Sequence, residues 1–290
     1  MKRLNRVLNL KRFAGFDKEL IEWIGRVFES KKYMHPPVPE GYNHIKGEWN
    51  NGFVIERFED GSHFVWVPVG VLIPNGTLDA HSFNQKFGRR NYMAGDFTEN
   101  GFYERMSRGL RLQCESVKKH GGFYISAYNI SKNMKTGKPQ SVEGEKPWTK
   151  ISGEDAVKIA RTFEKSKDIR SHLPFGAEYD SVLEWLVQSG DKSYAEVAKD
   201  SSNWGNIGYC GLTKPKVFNT GKSSTWKANN IYDLAGNVME WTQETDPDGN
   251  YTLRGQVCCN KWERACAAQR YSSNHQKKHN VGFRIALFLK

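Results

Sequence analysis

Three features are scarce in this 290-residue chain, and each scarcity narrows what it can be. Long apolar runs are missing, and none approaches the roughly 18 residues a membrane helix needs. The basic start, Met1-Lys-Arg-Leu-Asn-Arg-Val-Leu-Asn-Leu-Lys-Arg12, has charges between its apolar pairs and lacks the apolar centre of a signal peptide. The expectation is a chain without a signal peptide or transmembrane segment, cytoplasmic by default. Cysteine is scarce: Cys114, Cys210, Cys258, Cys259 and Cys266 form an odd set with no Cys-x-x-Cys pair. Without a secretory signal they are not a disulfide framework. Catalytic signatures are the third absence. There is no His-Glu-x-x-His, Gly-x-Ser-x-Gly or nucleotide-binding glycine pattern. Gly221-Lys-Ser is not a phosphate-binding loop, because Lys216 stands where its upstream glycine is required.

What is present points to a folded protein. Aromatics make up 13% of the residues, with nine Trp, which argues against disorder. A mass of 33.2 kDa allows one large domain, or one domain with an appendage. Mean hydropathy of −0.69 and 26% charged residues indicate a polar surface. The net charge of +11 permits nucleic acid or another acidic partner. The positive residues are scattered and carry no nucleic-acid motif, so a solvated basic surface is the preferred reading.

Leu20, Trp23, Ile24, Val27 and Phe28 recur at helical spacing after Asp17, predicting an amphipathic helix that packs on the main domain or a partner. His35-Pro-Pro-Val-Pro39 ends it, so residues 1–39 read as a helix and Pro-rich linker and 40–290 as the main domain. Strands are expected at Phe53-Val-Ile55, at Phe64-Val-Trp-Val67 after the Asp60-Gly61 hairpin signal, and across residues 121–130. Residues 71–118 read as an insertion with some helix toward residues 110–117, and residues 134–148 as a polar loop. Ser152-x-x-Asp155 caps a helix whose stripe is Ala156, Ile159, Ala160 and Phe163. A second helix buries Val182, Leu183, Leu186 and Val187, with Glu178 structural at its start. The fold expected is α+β: small irregular β-sheets, two packed helices and extensive ordered loops.

The rest is organised around Ile231-Tyr-Asp-Leu-Ala-Gly-Asn-Val-Met-Glu-Trp241. Asp233 and Gly236-Asn237 form a turn, and Val238-Met-Glu-Trp241 alternates as a short half-buried strand does. Two carboxylates, Asp233 and Glu240, flank a bend that exposes carbonyls. This is either a plain turn with a Trp anchor or the oxygen-rich setting a calcium ion needs.

This stretch resembles the Leu-Tyr-Asp-Met-Ala-Gly-Asn-Val-Trp-Glu-Trp signature of the formylglycine-generating enzyme (sulfatase-modifying factor) family, a branch of the C-type-lectin-like folds. Arg254-Gly255 resembles its Arg-Gly-Gly-Ser mark, and Val281-Gly-Phe-Arg-Ile-Ala-Leu287 its terminal strand. The resemblance implies a structural calcium site, with carboxylates from Asp233 and Glu240 and carbonyls from Gly236 and Val238. It also implies a copper-bound cysteine pair that oxidises a substrate cysteine. The two family positions fall on Asn260 and Ala265, while Cys258, Cys259 and Cys266 lie off register. Copper is therefore not expected, and an oxidoreductase with displaced cysteines is the alternative. His275-Gln-Lys-Lys-His279 lacks the glutamate of the family's iron-binding branch, since Val281 stands there.

Residues 256–280 show little strand or helix periodicity and are rich in Tyr, Trp, Arg, Ser and Asn, the residue types of a paratope. The candidate ligand-binding set is Cys258, Asn260, Trp262, Arg264, Tyr271, Ser273, Asn274, His275 and Gln276, and its partner would be a protein or surface ligand. A segment of this kind before a Gly-Phe-Arg terminus resembles the variable proteins of diversity-generating retroelements, many of them encoded by phages and gut bacteria. The resemblance implies a non-catalytic binding module, in the cytoplasm or on a phage particle.

Overall fold

The computed structural model describes residues 35–69, 107–207, 217–245, 248–256, 266–273 and 278–290. The expected helix in residues 1–34 lies outside the described residues. So does most of the expected insertion.

The larger sheet is built from six strands in the order β1-β2-β3-β4-β14-β7. These are β1 (Tyr42–Lys46), β2 (Val54–Arg57), β3 (His63–Pro68), β4 (Gly122–Ser126), β14 (Ala286–Leu289) and β7 (Ile169–His172). The Asp60-Gly61 signal does turn the chain between β2 and β3, with Gly61 at φ 70° and Ile55 opposite Phe64. The chain's last strand, β14, pairs with both β4 and β7, so the terminus closes the sheet's middle. A second sheet has the order β12-β11-β10-β13: β12 (Arg270–Ser273), β11 (Tyr251–Arg254), β10 (Met239–Thr245) and β13 (Val281–Phe283). Two short hairpins complete the described strands: β5 (Ser131–Lys132), just before the expected polar loop, with β6 (Pro139–Gln140) inside it, and β8 (Lys227–Ala228) with β9 (Ile231–Tyr232).

Four helices are described: α1 (Arg108–His120), α2 (Gly153–Phe163), α3 (Gly176–Gln188) and α4 (Tyr194–Ala198). Ser152 caps α2 as its sequence implies, its Oγ accepting the Asp155 amide at 3.1 Å. α2 buries Ala156, Val157, Ala160 and Phe163 against Phe64, Trp66 and Trp241. α3 differs from expectation. It is buried over its whole circumference from Gly176 to Leu186, not on one stripe. Its polar residues Glu178, Asp180 and Glu184 are inside because partners distant in the chain meet them there. Glu178 holds the helix start by accepting the Phe175 amide at 2.8 Å, and its carboxylate also meets Gln113 and His172. Among the described residues, no helix is long and apolar enough to cross a membrane.

Candidate ligand-binding site and its buried ionic scaffold

The turn at 231–241 is tight. Asp233, Gly236 and Asn237 all have positive φ, at 56°, 93° and 63°. Gly236 cannot be another residue, because a Cβ there would collide with the Asn206 carbonyl. Asn237 Oδ1 accepts the Asn206 side-chain amide at 3.1 Å and the Phe218 amide at 2.9 Å, tying the turn to two other segments. The turn then feeds β10, which carries Glu240 and Trp241 into the interior; the Trp241 indole donates to the Ile151 carbonyl at 3.2 Å.

Glu240 is the first of two buried ionic sites. Its Oε1 accepts Arg284 Nε at 2.8 Å and Asn129 Nδ2 at 2.8 Å. Arg284, from the Gly-Phe-Arg stretch, is fully buried and also donates to the carbonyls of Ser126, Ala127 and Tyr232. Burial raises the Glu240 carboxyl while the Arg284 charge opposes the rise. Burial also pushes Asp233 up to about 6, against the Gly221 amide and the Arg284 charge, which lower it. Asp233 Oδ2 accepts the Gly221 amide at 2.8 Å, and its buried Oδ1 has no hydrogen-bond partner.

These contacts test the expected calcium shell. Asp233 has an oxygen to offer, but Glu240 is occupied by a guanidinium and an amide. Arg284 pairs with Glu240, and its charge also acts on Asp233. A divalent ion beside Arg284 would meet repulsion in a low-dielectric interior, while the unpartnered Asp233 Oδ1 is the one oxygen of the expected shell left open to a ligand. Among the described residues, no group of three or more His, Cys, Asp or Glu is arranged to hold a metal.

The second ionic site joins residues just before and within the candidate binding segment. Arg254, at the end of β11, donates to Asp180 of α3 and to Glu244 of β10 at 3.0 Å. Arg270, at the start of β12, meets the same two carboxylates, with Glu244 at 3.1 Å. Asp180, Glu244 and Arg254 are 0% exposed and Arg270 is 2%. Two guanidiniums and two carboxylates balance, and each carboxylate is bridged by both arginines. Burial raises Asp180, yet protonating it would strand a guanidinium, so the four are ionised as a set. Burial alone would lower Arg254; the Asp180 and Glu244 charges overcome it and raise it further above its ordinary range. The Tyr179 ring covers Arg254 at 4.6 Å, and its hydroxyl donates to the Leu234 carbonyl of the turn at 3.3 Å. Gly176 makes room, since a Cβ there would collide with the Glu244 carboxylate.

This arrangement divides the expected binding loop. Residues 270–273 are a strand, paired to β11 with Arg254 opposite Arg270 and Tyr251 opposite Ser273. The connection 255–269 leaves the pair at the arginine end, and the connection to β13 leaves at the other. The candidate residues therefore leave from two opposite ends of one strand pair. Tyr271 is half-buried and donates from its hydroxyl to Gln256 Oε1 at 3.0 Å. Ser273 is 3% exposed and faces inward. Cys258, Asn260, Trp262, Arg264, Asn274, His275 and Gln276 lie outside the described residues. Cys266 is buried, and burial pushes its thiol up to about 11. It is a core thiol, protonated at neutral pH.

Sequence reasoning missed Asp180, Glu244 and Arg270. A polar residue on a helix reads as solvent-facing, and only Arg254 carried a recognisable mark.

The chain matches the sulfatase-modifying factor enzyme 1-like domain over residues 96–288. It is also similar to two solved structures, each at 15% identity. One, titled "Crystal Structure of CarF", is matched over 58% of this chain and 87% of that one, with a TM-score of 0.41. The other, Treponema denticola variable protein 1, is matched over 87% of this chain and 92% of that one, with a TM-score of 0.31. No curated protein matches the chain. The domain match covers most of the sequence and both family-like marks that frame the ionic scaffold, so the chain belongs to the sulfatase-modifying factor family, with its C-type-lectin-like α+β fold.

Proposed function

We propose that this protein is a non-catalytic ligand-binding module, using side chains within residues 256–280 on a C-type-lectin-like scaffold. The observation that carries the reading is the double clamp on the segment's first connection. Arg254 before it and Arg270 after it are locked to the same two buried carboxylates. Fixing both ends in the interior reduces the entropy lost when the intervening residues engage a partner. Trp262, Arg264, Asn260 and Cys258 lie between the clamped ends. Tyr271 sits beside the clamp, opposite Leu253, and the Asn274, His275, Gln276 group follows the far end of the same strand pair. Aromatic and small polar residues on such a base suit a protein or cell-surface ligand. A retroelement-diversified variable protein of phage or bacterial origin is the specific form we favour. It predicts a near-identical template repeat beside a reverse transcriptase gene, and a genome neighbourhood lacking both would remove that form.

The experiment that separates binding from oxidation uses the full chain twice. Cuprous ion with a cysteine-containing peptide should give no oxygen uptake above the protein-free control. An array of surface glycans and proteins should give hits that Trp262→Ala/Arg264→Ala loses. Copper-dependent turnover of the peptide, or hits indifferent to the double substitution, would overturn the proposal.

A further inference from the structure

A cleft of about 790 Å³ lies among the start of α1, the end of α2, β7 and β14, with Phe175 and Gln243 also in its lining. Its volume is that of a small-molecule site. Arg108, Arg161, Lys165 and Arg170 line it from three separate segments, and all four are exposed. Among the described residues none of the four pairs with a carboxylate. The one carboxylate in the lining, Glu164, is already committed. It faces Arg57 Nε at 3.5 Å, accepts the amides of Lys165 and Ser166 at 2.9 Å each, and meets the Tyr42 hydroxyl at 3.4 Å. The cleft is therefore strongly cationic.

Two further observations fit an anion there. α1 begins at the cleft with Arg108 and Gly109 and has no acidic residue in its first turn. A helix start leaves backbone amides without intrahelical partners and carries the positive end of the dipole. The wall is aromatic: the His172 ring lies between Phe175, 5.1 Å away, and Phe288, 5.9 Å away. The protein's own N-terminal stretch is a poor occupant, since residues 1–34 hold nine Lys and Arg against four Asp and Glu.

We propose that this cleft binds a small phosphorylated ligand with a flat apolar part, of the nucleoside polyphosphate class. Arg108, Arg161, Lys165 and Arg170 surround the phosphates, and Phe175 and Phe288 meet the apolar part. The site is independent of the binding segment at 256–280 and stands or falls separately from it. A titration calorimeter with the full chain at 150 mM salt provides the test, using ATP, inorganic triphosphate and adenosine as probes. ATP should bind saturably, triphosphate more weakly, and adenosine not measurably. Arg161→Gln/Arg170→Gln should weaken ATP by roughly tenfold or more, two charge-assisted contacts being lost. Lys135→Gln/Lys199→Gln removes the same charge from exposed positions elsewhere and should leave binding unchanged. No saturable binding of ATP or triphosphate at millimolar concentration would overturn the proposal. So would equal weakening in the two double variants, which would reduce the effect to overall charge.

Discussion

Two sets of basic residues in this protein do opposite things. Arg254 and Arg270 are sealed in the interior, each bridging Asp180 and Glu244. Arg108, Arg161, Lys165 and Arg170 stand exposed round a cleft whose one carboxylate among the described residues, Glu164, faces Arg57. What separates structural from ligand-seeking cations is the supply of carboxylates within reach. A buried guanidinium without a partner is prohibitive, whereas an exposed one is merely hydrated. The first set holds the second sheet to α3; the second is free to meet an anion.

The largest effect should come from unbalancing the buried set. Asp180→Asn leaves two guanidiniums against one carboxylate and should cost about 3–5 kcal/mol in urea unfolding, since breaking a buried pair strands a charge. A cost below about 1 kcal/mol would place the network in contact with solvent. Next is Gly176→Ala, whose Cβ meets the Glu244 carboxylate. It should cost about 1–3 kcal/mol by overpacking, although alanine is the better helix former.

The Glu240 and Asp233 region gives a pH test. Asp233 is held up to about 6 when folded and titrates in the ordinary carboxylate range when unfolded. Stability from this group is present below the unfolded value and is lost as pH rises through about 6. Asp233→Asn should therefore gain about 2 kcal/mol on the native chain between pH 4 and 7, read from urea midpoints. A difference constant with pH would show that Asp233 is not held in its protonated form. Swapping calcium for a chelator should leave the melting midpoint unmoved, because Arg284 already neutralises Glu240. A rise with calcium would restore the four-ligand shell. The smallest effect is chemical: Cys266 should resist iodoacetamide at neutral pH in the folded chain, as peptide mass spectrometry would show.

Much of the scaffold was legible from local signals. The Asp60-Gly61 turn, the Ser152 cap and the Gly236-Asn237 bend each rest on residues adjacent in the chain, so their chemistry is visible there. β12 was not, because Arg270-Tyr-Ser-Ser273 has no apolar alternation; backbone pairing to β11 and the ion pairs of Arg270 hold it. The inward side of α3 was hidden for the same reason, since Asp180 meets partners 74 and 90 residues away. The cleft was equally opaque. Its cations read as scattered surface charge, because Arg108, Arg161, Lys165 and Arg170 come from separate segments.

The contrast between the two sets can be measured directly by urea unfolding of Arg254→Gln and Arg170→Gln beside the native chain. The account predicts a loss of about 3–5 kcal/mol for the first and within about 0.5 kcal/mol of native for the second. Equal losses in the two variants would contradict it.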